Sequence, residues 1–131
     1  MIAGPYTSGG ADAARRAANL RALNEAALAV LRRGHVPVIG VNMALPVIEA
    51  GGGFEEVMMP LSLALAERCD ACLRIGGESA GADAEVERFR AAGKAVWFGV
   101  EAMPPGHGVS GSPPPSPANV GEGEEDAGAD V

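Results

Sequence analysis

Residues 75–85 have the sequence Ile-Gly-Gly-Glu-Ser-Ala-Gly-Ala-Asp-Ala-Glu, and the rest of the predicted fold is arranged around this stretch. It follows a short apolar run, residues 71–75, with the composition of a buried strand. It precedes a helical run, residues 82–92, that stops at Gly93. A strand, a glycine-rich turn and a helix in this order are typical of open α/β sheets, which bind ligands at such connections.

The stretch carries groups suited to holding an anion and to nucleophilic chemistry. Gly76 and Gly77 let the backbone turn and let a ligand approach closely. Ser79 is placed to cap the following helix, whose free N–H groups favour an anion. Glu85 lies about one turn inside that helix, so its carboxylate can face the same crevice. The alternative is that Ser79 is only a cap and Glu85 only an exposed acid favoured by the helix dipole.

Apolar and turn patterns along the whole chain predict the order β-α-β-α-β-α-β. The predicted strands are residues 1–4, 36–41, 70–75 and 94–100, the predicted helices are residues 12–33, 55–68 and 79–92, and residues 42–54 are expected to form a loop. The second helix is expected to break or to begin at Pro60. This alternation predicts an α/β fold, a small flavodoxin- or Rossmann-like parallel sheet of about four strands with flanking helices.

In a flavodoxin-like order the first and third strands are neighbours. The loop at residues 4–10 and the turn at residues 76–79 follow these two strands. Because the carboxyl ends of parallel strands lie at the same edge of the sheet, we expect the two connections to form one pocket.

The composition changes at residue 103. Of the formal net charge of −7, −5 lies in residues 103–131, which contain five acids and no Lys or Arg. This Pro-, Gly- and Ser-rich segment is predicted to be a disordered tail, and residues 1–102 a single domain. A domain of about 100 residues with an Ala-rich core is marginal alone, so a homodimer or larger homo-oligomer is expected.

Charge and hydropathy indicate the partners of the domain. Residues 1–102 carry a formal charge of only −2, which gives no basic surface for a nucleic acid polymer. No apolar run approaches the ~20 residues of a membrane span, and no signal peptide opens the chain. We therefore expect a cytoplasmic protein with a small-molecule partner and neither a membrane nor a nucleic acid polymer as partner.

Other motifs of catalytic or metal chemistry are weak. Cys69 and Cys72 form a C-x-x-C pattern, but the predicted elements do not place either thiol at a helix N-terminus, so we interpret both as buried, reduced thiols. Zinc would need further ligands. His35 and His107 lack the partners of a catalytic triad, and there is no P-loop. The sequence predicts neither a metal nor a cofactor.

Several short motifs, taken in order, resemble those of one family. They are Ala3-Gly4-Pro5-Tyr6, Asn19, Gly34-His35-Val36-Pro37, Cys69-Asp70-Ala71 and Ser79-x-Gly81-x-x-x-Glu85. Over about the first 100 residues the chain resembles the nucleoside 2-deoxyribosyltransferase-like superfamily, which includes the 2'-deoxynucleoside 5'-phosphate N-hydrolases. These enzymes break the N-glycosidic bond through a glutamate that attacks the anomeric carbon, and the resulting glycosyl-enzyme is resolved by water or an acceptor base.

The resemblance implies roles for residues of the predicted pocket. Glu85 matches the position of the family's glutamate nucleophile, and Tyr6 lies near the position of the loop tyrosine that orients that glutamate. Ser79 matches the serine that contacts the 5'-phosphate in the hydrolases, where the transferases have an aspartate. The substrate-binding residues implied in this way are Gly4, Pro5, Ser79 and Gly81. Asp83, at the start of the same helix, is a further candidate by its position and could instead merely favour the helix start. The expected function is hydrolysis of the N-glycosidic bond of a nucleoside 5'-monophosphate, without a metal, in a homo-oligomer.

Two departures from the family pattern keep other functions open. Position 83 is Asp where the enzymes usually have Gly, and a carboxylate there could raise the pKa of Glu85 or repel a phosphate. The loop after Tyr6 lacks the phosphate-binding Arg of the hydrolases, for which Arg15 and Arg16 are candidate substitutes. A non-catalytic nucleotide-binding or sensing module is therefore the alternative function, and deoxyribosyl transfer between bases is the second alternative.

Overall fold

The computed structural model describes residues 1–107, which form a small parallel β-sheet packed between helices. The elements in chain order are β1 (Ile2–Ala3), α1 (Ala13–Arg32), α2 (Gly40–Glu49), α3 (Phe54–Ala66), β2 (Ala71–Arg74), α4 (Ala80–Ala91), β3 (Ala95–Trp97) and a single 3₁₀ turn (Val100–Ala102). None of these helices is long and apolar enough to cross a lipid bilayer. The α/β class predicted from the sequence is confirmed.

The sheet has the order β1-β2-β3, and both pairs of strands are parallel. Ile2 lies opposite Leu73, and Cys72 lies opposite Val96. The first and third predicted strands are therefore neighbours, as expected from the sequence. Their carboxyl ends lead into the loop after β1 and the turn before α4.

Each face of the sheet has its own apolar core, because successive residues of a strand point to opposite faces. On one face, Ala3 and Cys72 pack with Phe89 of α4. On the other face, Ile2 and Leu73 pack with side chains of α1 and with Met103. A third cluster joins α2 to α3. The result is a sheet covered by α1 on one face and by α3 and α4 on the other.

The prediction of a strand at residues 36–41 and a loop at residues 42–54 is wrong for most of both segments. Residue 39 makes only an isolated parallel bridge with Ile2, and helix α2 begins at the next residue. The structure therefore has three strands in the described residues rather than four. The bridge places residue 39 on the edge of β1 away from β2.

An apolar stripe explains why α2 forms in spite of an internal proline. Val41, Ala44, Leu45 and Ile48 recur at helical spacing and pack against α3. The exposed Pro46 lies inside the helix without ending it. Pro60 likewise lies inside α3, which begins at Phe54, so the predicted break does not occur.

The ordered part of the chain extends past the predicted domain boundary at residue 102. Met103 is 5% exposed and belongs to the core beneath α1. The Arg33 Nε donates to the Met103 carbonyl oxygen at 2.7 Å, and the Gly106 N–H donates to the Arg33 carbonyl oxygen at 2.9 Å. Residues 103–107 therefore belong to the fold, and the rest of the tail predicted to be disordered lies outside the described residues.

Gly34 ends α1, as predicted, for two structural reasons. Its φ is +96°, a left-handed conformation that side chains with a Cβ rarely adopt. A Cβ at this position would also lie 2.5 Å from the carbonyl oxygen of Gly106. The glycine thus allows the chain after Met103 to return along the end of α1.

Candidate functional site

A cavity of about 360 Å³ opens at the carboxyl ends of β1 and β2. Three segments enclose it: the loop after β1, the α2–α3 pair, and the start of α4. The lining residues with polar side chains are Tyr6, Thr7, Ser8, Ser62, Glu78, Ser79 and Glu85, and Gly4 and Gly81 also line it. The two connections that were expected to share a pocket do so. Apolar side chains of α3, including Met58 and Met59, form the opposite wall.

The start of α4 is built as predicted. Ser79 has an extended backbone (φ −165°, ψ 112°), and its Oγ accepts a hydrogen bond from the Ala82 N–H at 3.1 Å. The first N–H groups of a helix have no partner within the helix, and those of Ala80 and Gly81 belong to residues that line the cavity. Ser79 is therefore the N-cap of α4, and the N-terminus of this helix borders the cavity.

Glu85 is buried, with 8% of its surface exposed, and it lines the same cavity. It lies on the inward stripe of α4, whose buried residues are Ala82, Glu85, Val86 and Phe89. This spacing follows from the helix period and points the side chain towards the sheet. The interpretation of Glu85 as an exposed first-turn acid is wrong.

Burial raises the pKa of the Glu85 carboxyl to about 7 from its ordinary 4.5. Removal from water disfavours the charged form, and this is the largest effect. A hydrogen bond with the Ser62 side chain and the positive charges of the Met1 ammonium and Arg74 act in the opposite direction. At neutral pH the cavity therefore holds a carboxyl group that exchanges readily between its neutral and charged forms.

Tyr6 lines the cavity together with Glu85. The side-chain amide of Asn19 in α1 donates to the Tyr6 carbonyl oxygen at 2.9 Å and so fixes the loop after β1. Tyr6 also packs against the apolar cluster of α2 and α3. Tyr6 is therefore both a packing residue and a residue that lines the cavity.

Two of the predicted substrate-binding residues do not line this cavity. Pro5 borders a neighbouring cleft of about 500 Å³, where it touches the turn at Gly76. The Asp83 carboxylate pairs with Arg74 at 3.1 Å, and its side chain is 70% exposed. Asp83 does not contribute to the raised pKa of Glu85, and its carboxylate pairs with Arg74 outside the cavity.

Among the described residues, no cationic side chain lines the cavity. Its lining side chains in the described part of the chain include the acids Glu78 and Glu85 but no Lys, Arg or His. Arg15 borders the neighbouring cleft instead, and the Arg16 guanidinium donates to the Ala11 carbonyl oxygen at 2.8 Å. Neither arginine lines the cavity, so neither is placed there to substitute for the phosphate-binding arginine that the resemblance implies. Residues 1–107 also contain no group of three or more His, Cys, Asp or Glu side chains that could hold a metal ion.

Both cysteines are free thiols, and the prediction that they are buried is confirmed for Cys72 but not for Cys69. Cys72 is buried beneath α4, and burial raises the pKa of its thiol to about 11. Cys69 is half-buried. Cys72 therefore stays protonated at neutral pH and is a poor nucleophile.

Sequence reasoning missed two residues that act on Glu85, Ser62 and Arg74. Ser62 is 1% exposed and lies among the leucines of α3, where a small polar residue in an apolar run was the available signal. Arg74 interrupts the apolar run of β2, and a charge in such a run must find partners if it is buried. That rule could have identified Arg74, but its partners could not be named without the fold.

Comparisons with protein-family models, with curated proteins and with solved structures found no match to this chain. The resemblance carried by the short motifs therefore stays a prediction.

Proposed function

We propose that this protein hydrolyses the N-glycosidic bond of a nucleoside 5'-monophosphate, with Glu85 as the nucleophile. The observation that carries the proposal is the burial of the Glu85 carboxyl group in a cavity at the sheet edge, beside Tyr6 and the capped start of α4. A buried carboxyl group with a perturbed pKa in a cleft is a candidate catalytic group. The position of residue 39 beside β1 supports a flavodoxin-like strand order, in which ligands bind at this edge.

The proposed reaction has two steps. A Glu85 carboxylate oxygen forms a bond to the anomeric carbon while the bond from that carbon to the base nitrogen breaks, and the base leaves with the electron pair and takes a proton from solvent. A water molecule then attacks the anomeric carbon, the ester bond to Glu85 breaks, and the carboxylate is regenerated as the water gives up a proton. Splitting one difficult displacement into two is the general advantage of a covalent intermediate.

The 5'-phosphate would rest on the start of α4. The phosphate oxygens would accept hydrogen bonds from the Ser79 hydroxyl and from the N–H groups of Ala80 and Gly81, where the helix dipole favours a negative charge. No cation lines this part of the cavity in the described residues, so hydrogen bonds rather than ion pairs would supply the affinity. This predicts a modest preference for a nucleotide over the corresponding nucleoside.

The test is a panel of ribo- and deoxyribonucleotides and their nucleosides, with free base as the product measured. We expect base release by the parent protein and its loss in Glu85→Ala and Glu85→Gln. The exposed Glu87, two residues further along α4, provides the matched control Glu87→Gln, which should retain activity. No release by the parent, or equal release by Glu85→Ala, would refute the proposal.

Activity should also depend on pH in a defined direction. The nucleophile must be charged, and the Glu85 pKa of about 7 means that kcat/KM should rise as pH increases through about 7 and then level off. A profile that falls over this range would instead indicate that the neutral carboxyl group acts as a general acid.

One observation favours the alternative of binding without turnover. At neutral pH a substantial fraction of Glu85 is neutral, and a neutral carboxyl group in an apolar-walled cavity can donate a hydrogen bond to a ligand but cannot attack it. Thermal-shift measurements with the same panel separate the two functions. Stabilisation by a nucleotide without release of base would support a binding or sensing module.

A further inference from the structure

Arg74, the last residue of β2, is a buried cation with an unusually complete set of partners. Its side chain is 10% exposed. The guanidinium donates from Nη1 to the Ile75 carbonyl oxygen at 2.5 Å and from Nη2 to the Gly77 carbonyl oxygen at 2.9 Å. Nε and Nη2 donate to the Asp83 Oδ1 at 3.2 and 3.1 Å. A buried charge is tolerated only when it is paired and hydrogen-bonded in this way.

These bonds connect three parts of the molecule that shape the cavity. Arg74 itself ends the strand, its two carbonyl partners belong to the turn, and Asp83 lies in the first turn of α4. The other side of the turn rests on the loop after β1, because a Cβ at Gly76 would lie 2.6 Å from the Pro5 Cδ. The guanidinium therefore holds the turn against the first turn of α4.

We propose that Arg74 is a positioning residue of the candidate site, which clamps the turn after β2 to the first turn of α4, the helix that carries Glu85. Its catalytic consequence rests on the proposed function, whereas its effect on the ionisation of Glu85 does not. Asp83 completes the clamp from the helix and is not a substrate ligand.

Several groups act on the Glu85 carboxyl, and Arg74 has the smallest effect of those that lower its pKa. Ser62 approaches from α3 with a hydrogen bond, and the Met1 ammonium acts from the start of β1. Cys72 of β2 is protonated, and Glu78 lines the same cavity. The side-chain cation that lowers the Glu85 pKa is Arg74.

The ionisation of Glu85 can be followed without any substrate. The difference in unfolding free energy between Glu85→Gln and its parent, measured by urea denaturation over a range of pH, reports the titration of this one carboxyl group. In an Arg74→Met background the stability gained through Glu85→Gln should be larger than in the wild-type background. The gain should also level off at a higher pH, because loss of the Arg74 cation raises the Glu85 pKa. Arg88→Met, which removes the other ion pair of α4 with Glu67, is the matched control and should leave the curve unchanged.

A second variant separates the charge from the clamp. Arg74→Lys keeps a positive charge but loses the planar fork that reaches two carbonyl oxygens and Asp83. The titration of Glu85 should stay near that of the wild type, while kcat/KM for base release falls roughly 10- to 100-fold because the start of α4 is misplaced. Asp83→Asn leaves both carbonyl bonds in place and should cause a smaller loss.

The outcomes are distinguishable. An unchanged titration of Glu85 in the Arg74→Met background, or full activity of Arg74→Lys, would overturn the inference. If Arg74→Met does not fold, the Lys and Asn variants still decide whether the clamp matters. A shifted titration in a protein that releases no base from any substrate would support the position of Arg74 and would refute the proposed function separately.

Discussion

Glu85 occupies a position on the inward stripe of α4 that the helix pattern would otherwise assign to an apolar residue. Its three buried companions on that stripe are Ala82, Val86 and Phe89. A pKa of about 7 in place of 4.5 corresponds to a cost of about 3 kcal/mol for holding the charged form in the folded state. Residues that reduce stability in this way are characteristic of functional sites.

The first prediction concerns the stability of Glu85→Gln. The folded-state pKa lies above the unfolded value, so the favourable contribution of the neutral carboxyl group is complete below pH 4.5 and is lost as pH rises towards about 7. The Gln variant stays neutral and should therefore be more stable than the wild type by up to about 3 kcal/mol above pH 7, with little difference near pH 4.

Urea denaturation of both proteins near pH 4 and pH 8 measures this difference. Glu87→Gln, at an exposed position of the same helix, should show no such dependence on pH. A Gln variant that is less stable than the wild type at pH 8 would mean that the Glu85 charge is stabilised rather than disfavoured in the folded state.

Single residues also show how far sequence reasoning extends. The motif spacing placed Ser79, Gly81 and Glu85 in one pocket with the loop of Tyr6, and the cavity contains all four. The same reasoning put Asp83 in that pocket, because it considered distance along the chain and not the partner that would attract the carboxylate. Arg74 is nine residues earlier in sequence and adjacent in space.

At the scale of elements, helix caps were predictable and helix α2 was not. Asp12 caps α1 by accepting a hydrogen bond from the Arg15 N–H at 2.8 Å, as Ser79 caps α4. A cap depends on the four residues that form it, so both could be identified from local sequence. The helix at residues 40–49 depends on an apolar stripe that packs against α3, and this tertiary contact outweighs the proline in its interior.

The second prediction compares the two caps. Ser79→Ala and Asp12→Ala each remove a side-chain acceptor for a helix N–H and should each cost about 1 kcal/mol of unfolding free energy. Only Ser79 lines the Glu85 cavity, so only Ser79→Ala should also reduce the thermal stabilisation produced by a nucleotide. Equal nucleotide responses of the two variants would place the phosphate elsewhere.

At the scale of the molecule, the folded unit includes a segment that composition assigned to the tail. Met103 fills the core beneath α1, and the carbonyl oxygens of Met103 and Pro104 accept hydrogen bonds from Arg33 and His35. The large apolar side chains that remain exposed include Val36, Met43 and Phe98. Assembly into a homodimer or larger homo-oligomer stays a prediction.

The third prediction concerns truncation. A chain that ends at His107 should match the full-length protein in unfolding free energy, because residues 108–131 are rich in Pro, Gly, Ser and acids and have no hydrophobic periodicity. A chain that ends at Ala102 loses a buried methionine together with two acceptors, and should be less stable by roughly 2–5 kcal/mol. Thermal and urea denaturation of the two chains measure this, and equal stabilities would show that residues 103–107 contribute nothing to the fold.

The sequence by itself determined the α/β class, the parallel pairing of β1 with β2 and the capped helix that carries Glu85. These follow from local periodicity and from steric rules on the turns, which act over a few residues. Only the tertiary structure decided that α2 is a helix, that Asp83 turns to Arg74 and that Glu85 is enclosed. Those outcomes depend on which surfaces meet, because burial and the pairing of charges are properties of contacts between distant segments.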